Sequence, residues 1–131
     1  MKSTGLLILR LVFGFVMIMH GIQKAFEWTP AGTVASFEQM GIPMAAAAAY
    51  FAMATELLGG IMIILGAGTR IAAAASVVSM SGALFFVHLA AGFSASKGGY
   101  EYVLTLAAIA VAFFFTGAGK FSIDALFARR K

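Results

Sequence analysis

Residues 44–70, MAAAAAYFAMATELLGGIMIILGAGTR, form an apolar run long enough to cross a bilayer, and one acid, Glu56, stands near its middle. A membrane-spanning helix needs about 20 apolar residues. A carboxylate at that depth costs roughly 2.5–3.5 kcal/mol on insertion scales unless it is paired, protonated or turned toward water. Glu56 therefore demands partners, and the rest of the chain has to supply them.

The composition agrees with a chain made for lipid. It is 62% hydrophobic and only 11% charged, with a mean hydropathy of +0.98. Soluble domains are nearer half apolar and a quarter charged. The net charge of +4 is spread out or placed at the chain ends, which argues against nucleic acid as a partner and for a role in membrane orientation. With no cysteine, the chain has no disulfide, no thiolate chemistry and no cysteine-ligated cluster. The first apolar segment follows Lys2 as a signal peptide would. It is too long for one, contains Arg10 and His20, and has no small-x-small cleavage site after it, so it reads as mature structure.

Four spans are expected, at about 6–26, 44–65, 71–91 and 102–116, the last somewhat short. They must be helices, because four short strands cannot close a barrel in lipid. The fold class is all-α, a four-helix transmembrane bundle in one domain covering 1–131. With both ends on one side, that side carries Lys2, Arg70, Lys120, Arg129, Arg130 and Lys131, and the other carries Lys24 and Lys97. The excess places both termini in the cytoplasm and the protein in the cell (inner) membrane as a multi-pass protein. The first loop is predicted to hold a short helix opened by Pro30, with Val34, Phe37 and Met40 along one side. Ser122 is a candidate N-cap for a tail, 120–131, that reads as an interfacial basic anchor. Gly14 precedes His20 by six residues and Gly82 precedes His88 by six, an echo that a two-helix duplication would produce.

The polar residues inside the spans are the candidate site. On the first helix Arg10, Gly14, Met17, Gly21 and Lys24 share one stripe, with His20 beside it. On the second, Glu56 shares a stripe with Ala49, Ala52, Gly59, Gly60 and Ile63, a packing face that turns the acid into the bundle. Rise per residue puts Glu56 roughly 18 Å into its span, within reach of either Arg10 or His20. Two readings follow: a Glu56–Arg10 ion pair that locks the bundle, or a carboxyl that exchanges protons. His20, Lys24, His88 and Glu101 all fall in the outer half and are expected to converge on an outward-opening pocket with Glu56 at its floor. Glu101 also suits the positive end of the helix it opens, and Lys24 suits a side chain reaching for the interface. A quinone carbonyl wants a hydrogen-bond donor and its redox cycle moves protons, which a histidine and a carboxyl supply. His20 and His88 raise bis-histidine haem ligation, or a metal site with a glutamate, but no close ligand motif such as Glu-x-x-His is present, and neither haem nor metal is expected. No flavin or nicotinamide motif is present either.

These blocks, in order, resemble the DoxX family of small four-span membrane proteins. They are Arg10-x3-Gly14, His20-Gly21-x2-Lys24, Gly41-Ile42-Pro43, Glu56-x2-Gly59-Gly60, Leu65-x3-Thr69-Arg70, His88 with Gly92-Phe93, Gly98-Gly99-x-Glu101, Gly117-x-Gly119 and Ser122-x-Asp124. The resemblance implies a helical membrane bundle. It also implies membership of redox systems, since relatives are described as subunits of thiosulfate:quinone oxidoreductases or as membrane parts of oxidoreductase complexes with soluble partners. It places the family's polar signature on Arg10, His20, Lys24, Glu56, His88 and Glu101. The expectation is a membrane subunit of a redox system that binds ubiquinone or menaquinone, with Glu56 and His20 catalytic, His20 and His88 on the quinone oxygens, and Arg10 tuning Glu56. Its partners are the bilayer and a soluble oxidoreductase that supplies electrons. The alternatives are a non-catalytic scaffold recruiting such partners, and a small transporter, which would have to form a homo-oligomer.

Overall fold

A computed structural model describes residues 2–129. It is 82% helical, with no strand among the described residues. The helices are α1 (Lys2–Glu27), α2 (Pro30–Gln39), α3 (Ala45–Leu65), α4 (Thr69–Ala91), α5 (Glu101–Thr116) and α6 (Ile123–Ala128). By length and composition α1, α3 and α4 are long and apolar enough to cross a membrane. At about 1.5 Å per residue, the 16 residues of α5 reach about 24 Å, less than a ~30 Å hydrocarbon core. The expected boundaries shift little: the third span starts two residues early, at Thr69, because the turn before it closes in three residues, 66–68.

The four long helices run alternately up and down. One end of the bundle therefore gathers the start of α1, the 66–68 turn and the tail, and is called here the terminal end. The opposite end carries α2 and the 92–100 loop. The apolar stripes read from the sequence are the buried faces. Arg10, Gly14, Met17 and Gly21 on α1, and Ala49, Ala52, Glu56, Gly59, Gly60 and Ile63 on α3, are all buried. Helices α1 and α3 approach so closely that a Cβ on Gly14 would lie 2.7 Å from the Gly60 carbonyl oxygen, and one on Gly60 would lie 2.9 Å from that of Gly14. Such contacts replace the hydrophobic drive that is absent between helices in lipid. Gly82 has open space where a Cβ would go, so the echo between Gly14 and Gly82 does not extend to packing. Helix α4 packs along α5, and Phe13 of α1 meets Phe113 of α5 edge to face, ring centres 5.6 Å apart. Around this core the outward faces carry Val12, Phe15, Leu58, Ile71, Val78 and Phe115, as a lipid-facing belt requires.

Pro30 opens α2 at its first position, and the Thr29 hydroxyl accepts the Gly32 N–H at 3.2 Å. Proline's missing N–H costs nothing there. Helix α2 packs on the start of α3 and on the last turn of α1, with Val34 and Phe37 half-buried but Met40 exposed. Three spans contain a five-residue π-helical turn: Gln23–Glu27 in α1, Thr55–Gly59 in α3 and Leu84–His88 in α4. A π turn widens the helix by one residue and re-aims the side chains beside it. These three hold Lys24, Glu56 and His88.

Candidate functional site

The acid in α3 is paired with a lysine. Lys24 Nζ lies 3.0 Å from both Glu56 oxygens and is aligned to donate to Oε1, while the buried Oε2 has no hydrogen-bond donor of its own. The side chains are 14% and 5% exposed. Two features hold the lysine. Its backbone carbonyl accepts the hydroxyl of Thr33, a fully buried residue of α2, at 2.8 Å. Its ammonium sits 5.8 Å from the centre of the Trp28 ring, a cation–π distance.

The expected Glu56–Arg10 pair does not form, so Arg10 cannot tune Glu56 by contact. The Arg10 side chain, 1% exposed, donates from Nε to Ile63 O (2.8 Å), from Nη2 to Ile64 O (2.6 Å), and from Nη1 to Ala118 O (2.9 Å) and Phe121 O (2.7 Å). The physical reason is direction. Helical side chains lean toward the N-terminus of their own helix. Arg10 leans toward the terminal end and away from Glu56. Lys24 leans from its far end of α1 into the bundle, and Glu56, on the antiparallel α3, leans up to meet it. Depth alone made Arg10 look eligible; the lean of the bonds selects Lys24.

At the terminal end Asp124 completes a clasp. Its Oδ1 accepts the Gly68 N–H at 2.7 Å and its Oδ2 the Thr69 N–H at 3.0 Å, where α4 begins, and its own N–H donates to Gly66 O at 2.8 Å. Partial burial pushes this carboxyl upward, but the backbone donors of Thr69 and Gly68 outweigh it and hold Asp124 below the usual aspartate range. Gly66 has φ +66°, and a Cβ there would run into Arg10 and Ser122. Ser122 caps α6 as expected, accepting the Ala125 N–H at 3.2 Å. Arg129 is exposed; Arg130 and Lys131, also assigned to the basic anchor, lie outside the described residues.

The remaining candidates fall elsewhere. His20 Nε2 is 3.4 Å from the Tyr102 hydroxyl at the start of α5, rings 6.0 Å apart. His88 Nδ1 donates to Gly98 O at 2.7 Å, since a carbonyl only accepts. Glu101 Oε1 accepts the Ala95 N–H at 2.7 Å. His88 and Glu101 thus brace the 92–100 loop. The six residues separate into an interior pair (Lys24, Glu56), a histidine–tyrosine contact, a loop brace and the distant Arg10. Tyr102 and Thr33 are polar neighbours of these residues that the sequence reading passed over, and Asp124, read only as part of the Ser122-x-Asp124 block, was given no role. Tyr102 carried a signal, a polar-tipped aromatic next to Glu101 at a helix start. Among the described residues no three His, Asp or Glu side chains gather as a metal site.

What these features define is a helical multi-pass membrane protein with a buried ion pair near one end and a polar clasp at the other. The DoxX family model matches residues 5–89, and the chain belongs to that family. It is 32% identical over 122 residues, 93% of this chain and 86% of the relative, to a Bacillus subtilis (strain 168) protein named "Putative oxidoreductase CatD". It is 33% identical to an uncharacterized protein of Haemophilus influenzae, covering 93% and 90% of the two chains. An uncharacterized membrane protein of Mycobacterium tuberculosis is 29% identical, with 93% and 80% covered. No solved structure matches the chain.

Proposed function

We propose that the protein is the membrane-embedded part of a redox system of the inner membrane, and that it binds a quinone, ubiquinone or menaquinone, at the Lys24–Glu56 pair with His20 and Tyr102 nearby. One observation carries this reading: Glu56 is a buried carboxylate, seated in a π turn, with one oxygen lacking a hydrogen-bond donor. Intramembrane acids mark ligand and proton pathways by default, and π turns recur at functional sites. The relative named as an oxidoreductase supports the same class.

A bound quinone supplies a carbonyl pair that takes up two electrons and two protons. The chain's own residues have definite work in that. Lys24 donates a charge-assisted hydrogen bond and can offer it to a ring oxygen in place of Glu56. The Glu56 carboxylate then holds or releases a proton in a dry site, where the ammonium offsets its charge. His20 and Tyr102 form a second donor–acceptor unit. Electrons come from a soluble partner or from the substrate.

Titration of a ubiquinone or menaquinone analogue into purified protein in lipid tests this. Saturable binding is expected, weakened at least tenfold by Glu56→Gln and His20→Ala, about the 1.4 kcal/mol of one lost charge-assisted contact. Absence of binding with all three proteins folded removes the redox reading. It leaves the scaffold, which the clasp favours because it fixes α6 with Leu126 and Phe127 exposed.

A further inference from the structure

The Lys24–Glu56 pair is nearly buried, and the segment that packs on the last turn of α1 and the start of α3, α2, carries backbone strain at both ends. Among the described residues only two non-glycine residues have positive φ, Thr29 (φ 65°, ψ 156°) and Met44 (φ 52°, ψ 50°). They bracket α2. Thr29 lies in a region that is nearly glycine's alone, and a β-branched residue stays there only when its surroundings hold it. What holds it is local: the Thr29 cap on Gly32, and the buried Thr33 hydroxyl on the Lys24 carbonyl. Trp28 lies beside the ammonium. The margins of the segment expose Phe26, Trp28, Met40 and Met44, apolar side chains that seat in the boundary between headgroups and acyl chains.

We infer that α2 is a hinged cover over the Lys24–Glu56 pair, with Thr29 and Met44 as its hinges and the Thr33 hydroxyl as its latch. Raising it exposes the pair to the lipid boundary at the α2 end, the route by which a lipophilic ring carrying a hydrogen-bonding oxygen reaches Glu56. The choice of ligand rests on the quinone reading above; the cover does not. Closed, the segment removes a charged pair from water. Open, it relieves two strained residues and frees Thr33 and the Lys24 carbonyl to hydrate. Opposed costs of this kind are what a reversible cover needs.

The full chain in lipid vesicles permits a test that needs no quinone. A water-soluble amine reagent is added from the α2 end, and acylation of Lys24 is followed by mass spectrometry, with the exposed loop residue Lys97 as internal standard. Lys24 is expected to react far more slowly than Lys97. Thr33→Val is expected to speed Lys24 about fivefold, the equivalent of one hydrogen bond, while Thr33→Ser, which keeps the hydroxyl, restores the slow rate. Because the chain has no cysteine, spin labels at Ala35→Cys and Tyr50→Cys report the α2–α3 distance in the same variants. A second, longer distance should grow with Thr33→Val. The inference is overturned if Lys24 reacts as fast as Lys97 in the unaltered protein, or if Thr33→Val leaves both rate and distance unchanged. If Thr33→Val opens the cover while a quinone analogue fails to protect Lys24, the cover stands and the quinone reading falls.

Discussion

Lys24 and Arg10 are cations on the same stripe of the same helix, yet they have opposite fates. Each follows from where its side chain leans. Lys24 meets an acid; Arg10 meets only carbonyls. Arg10→Lys should therefore be severe although charge is kept. One ammonium cannot serve acceptors spread over Ile63, Ile64, Ala118 and Phe121 as a planar fork does. Stability to denaturation in detergent should fall by about 3 kcal/mol, from two or more orphaned acceptors at about 1–3 kcal/mol each. For the interior pair, Lys24→Met alone should cost about 3–5 kcal/mol because it strands a buried carboxylate, and Lys24→Met with Glu56→Leu should recover most of that loss. A double-mutant cycle reads the coupling. Additive single effects would mean that Lys24 and Glu56 do not sense one another. Residue-scale legibility was partial for a plain reason. The demand that Glu56 be paired is written in its position inside an apolar run. The identity of its partner depends on bond direction and on a π turn, and stripe spacing reports neither.

Elements show the same division. The buried faces of α1 and α3 were legible because small and apolar residues recur at helical spacing. Gly14→Ala should push the two helices apart, since the new methyl meets the Gly60 carbonyl oxygen at 2.7 Å, backbone that cannot step aside, as well as the Ile64 side chain. Expected results are lower thermal stability in detergent and displacement of Lys24 from Glu56. Helix α6 and its clasp were only half legible. Ser122 announced a helix start, but nothing local announces that Asp124 will cap α4, more than fifty residues earlier in the chain. Because Asp124 has a lower pKa folded than unfolded, its stabilising contribution is complete above the unfolded value, roughly 4. It is lost as pH falls through the folded value. Unfolding of the intact protein should steepen with acid in that window. Asp124→Asn should flatten the dependence while lowering stability at neutral pH.

For the whole molecule, the ion pair changes the count of charges that sets orientation. Lys24 is neutralised inside the bundle, so the α2 end keeps Lys97 as its free basic side chain among the described residues. The terminal end exposes Lys2, Arg70, Lys120 and Arg129. The asymmetry is sharper than the sequence count, and it supports cytoplasmic termini. In right-side-out vesicles an impermeant thiol reagent should label Lys97→Cys and spare Lys120→Cys; the reverse pattern would invert the protein.

The clasp also gives the chain a built-in order of assembly. Arg10 enters the membrane early in synthesis, but two of its four acceptors, Ala118 and Phe121, lie 108 and 111 positions further along. Until the ribosome has released the last span and the residues after it, an arginine waits in the bilayer half-satisfied. A chain halted after Thr116 keeps the four long helices and leaves Arg10 Nη1 without its two carbonyl acceptors.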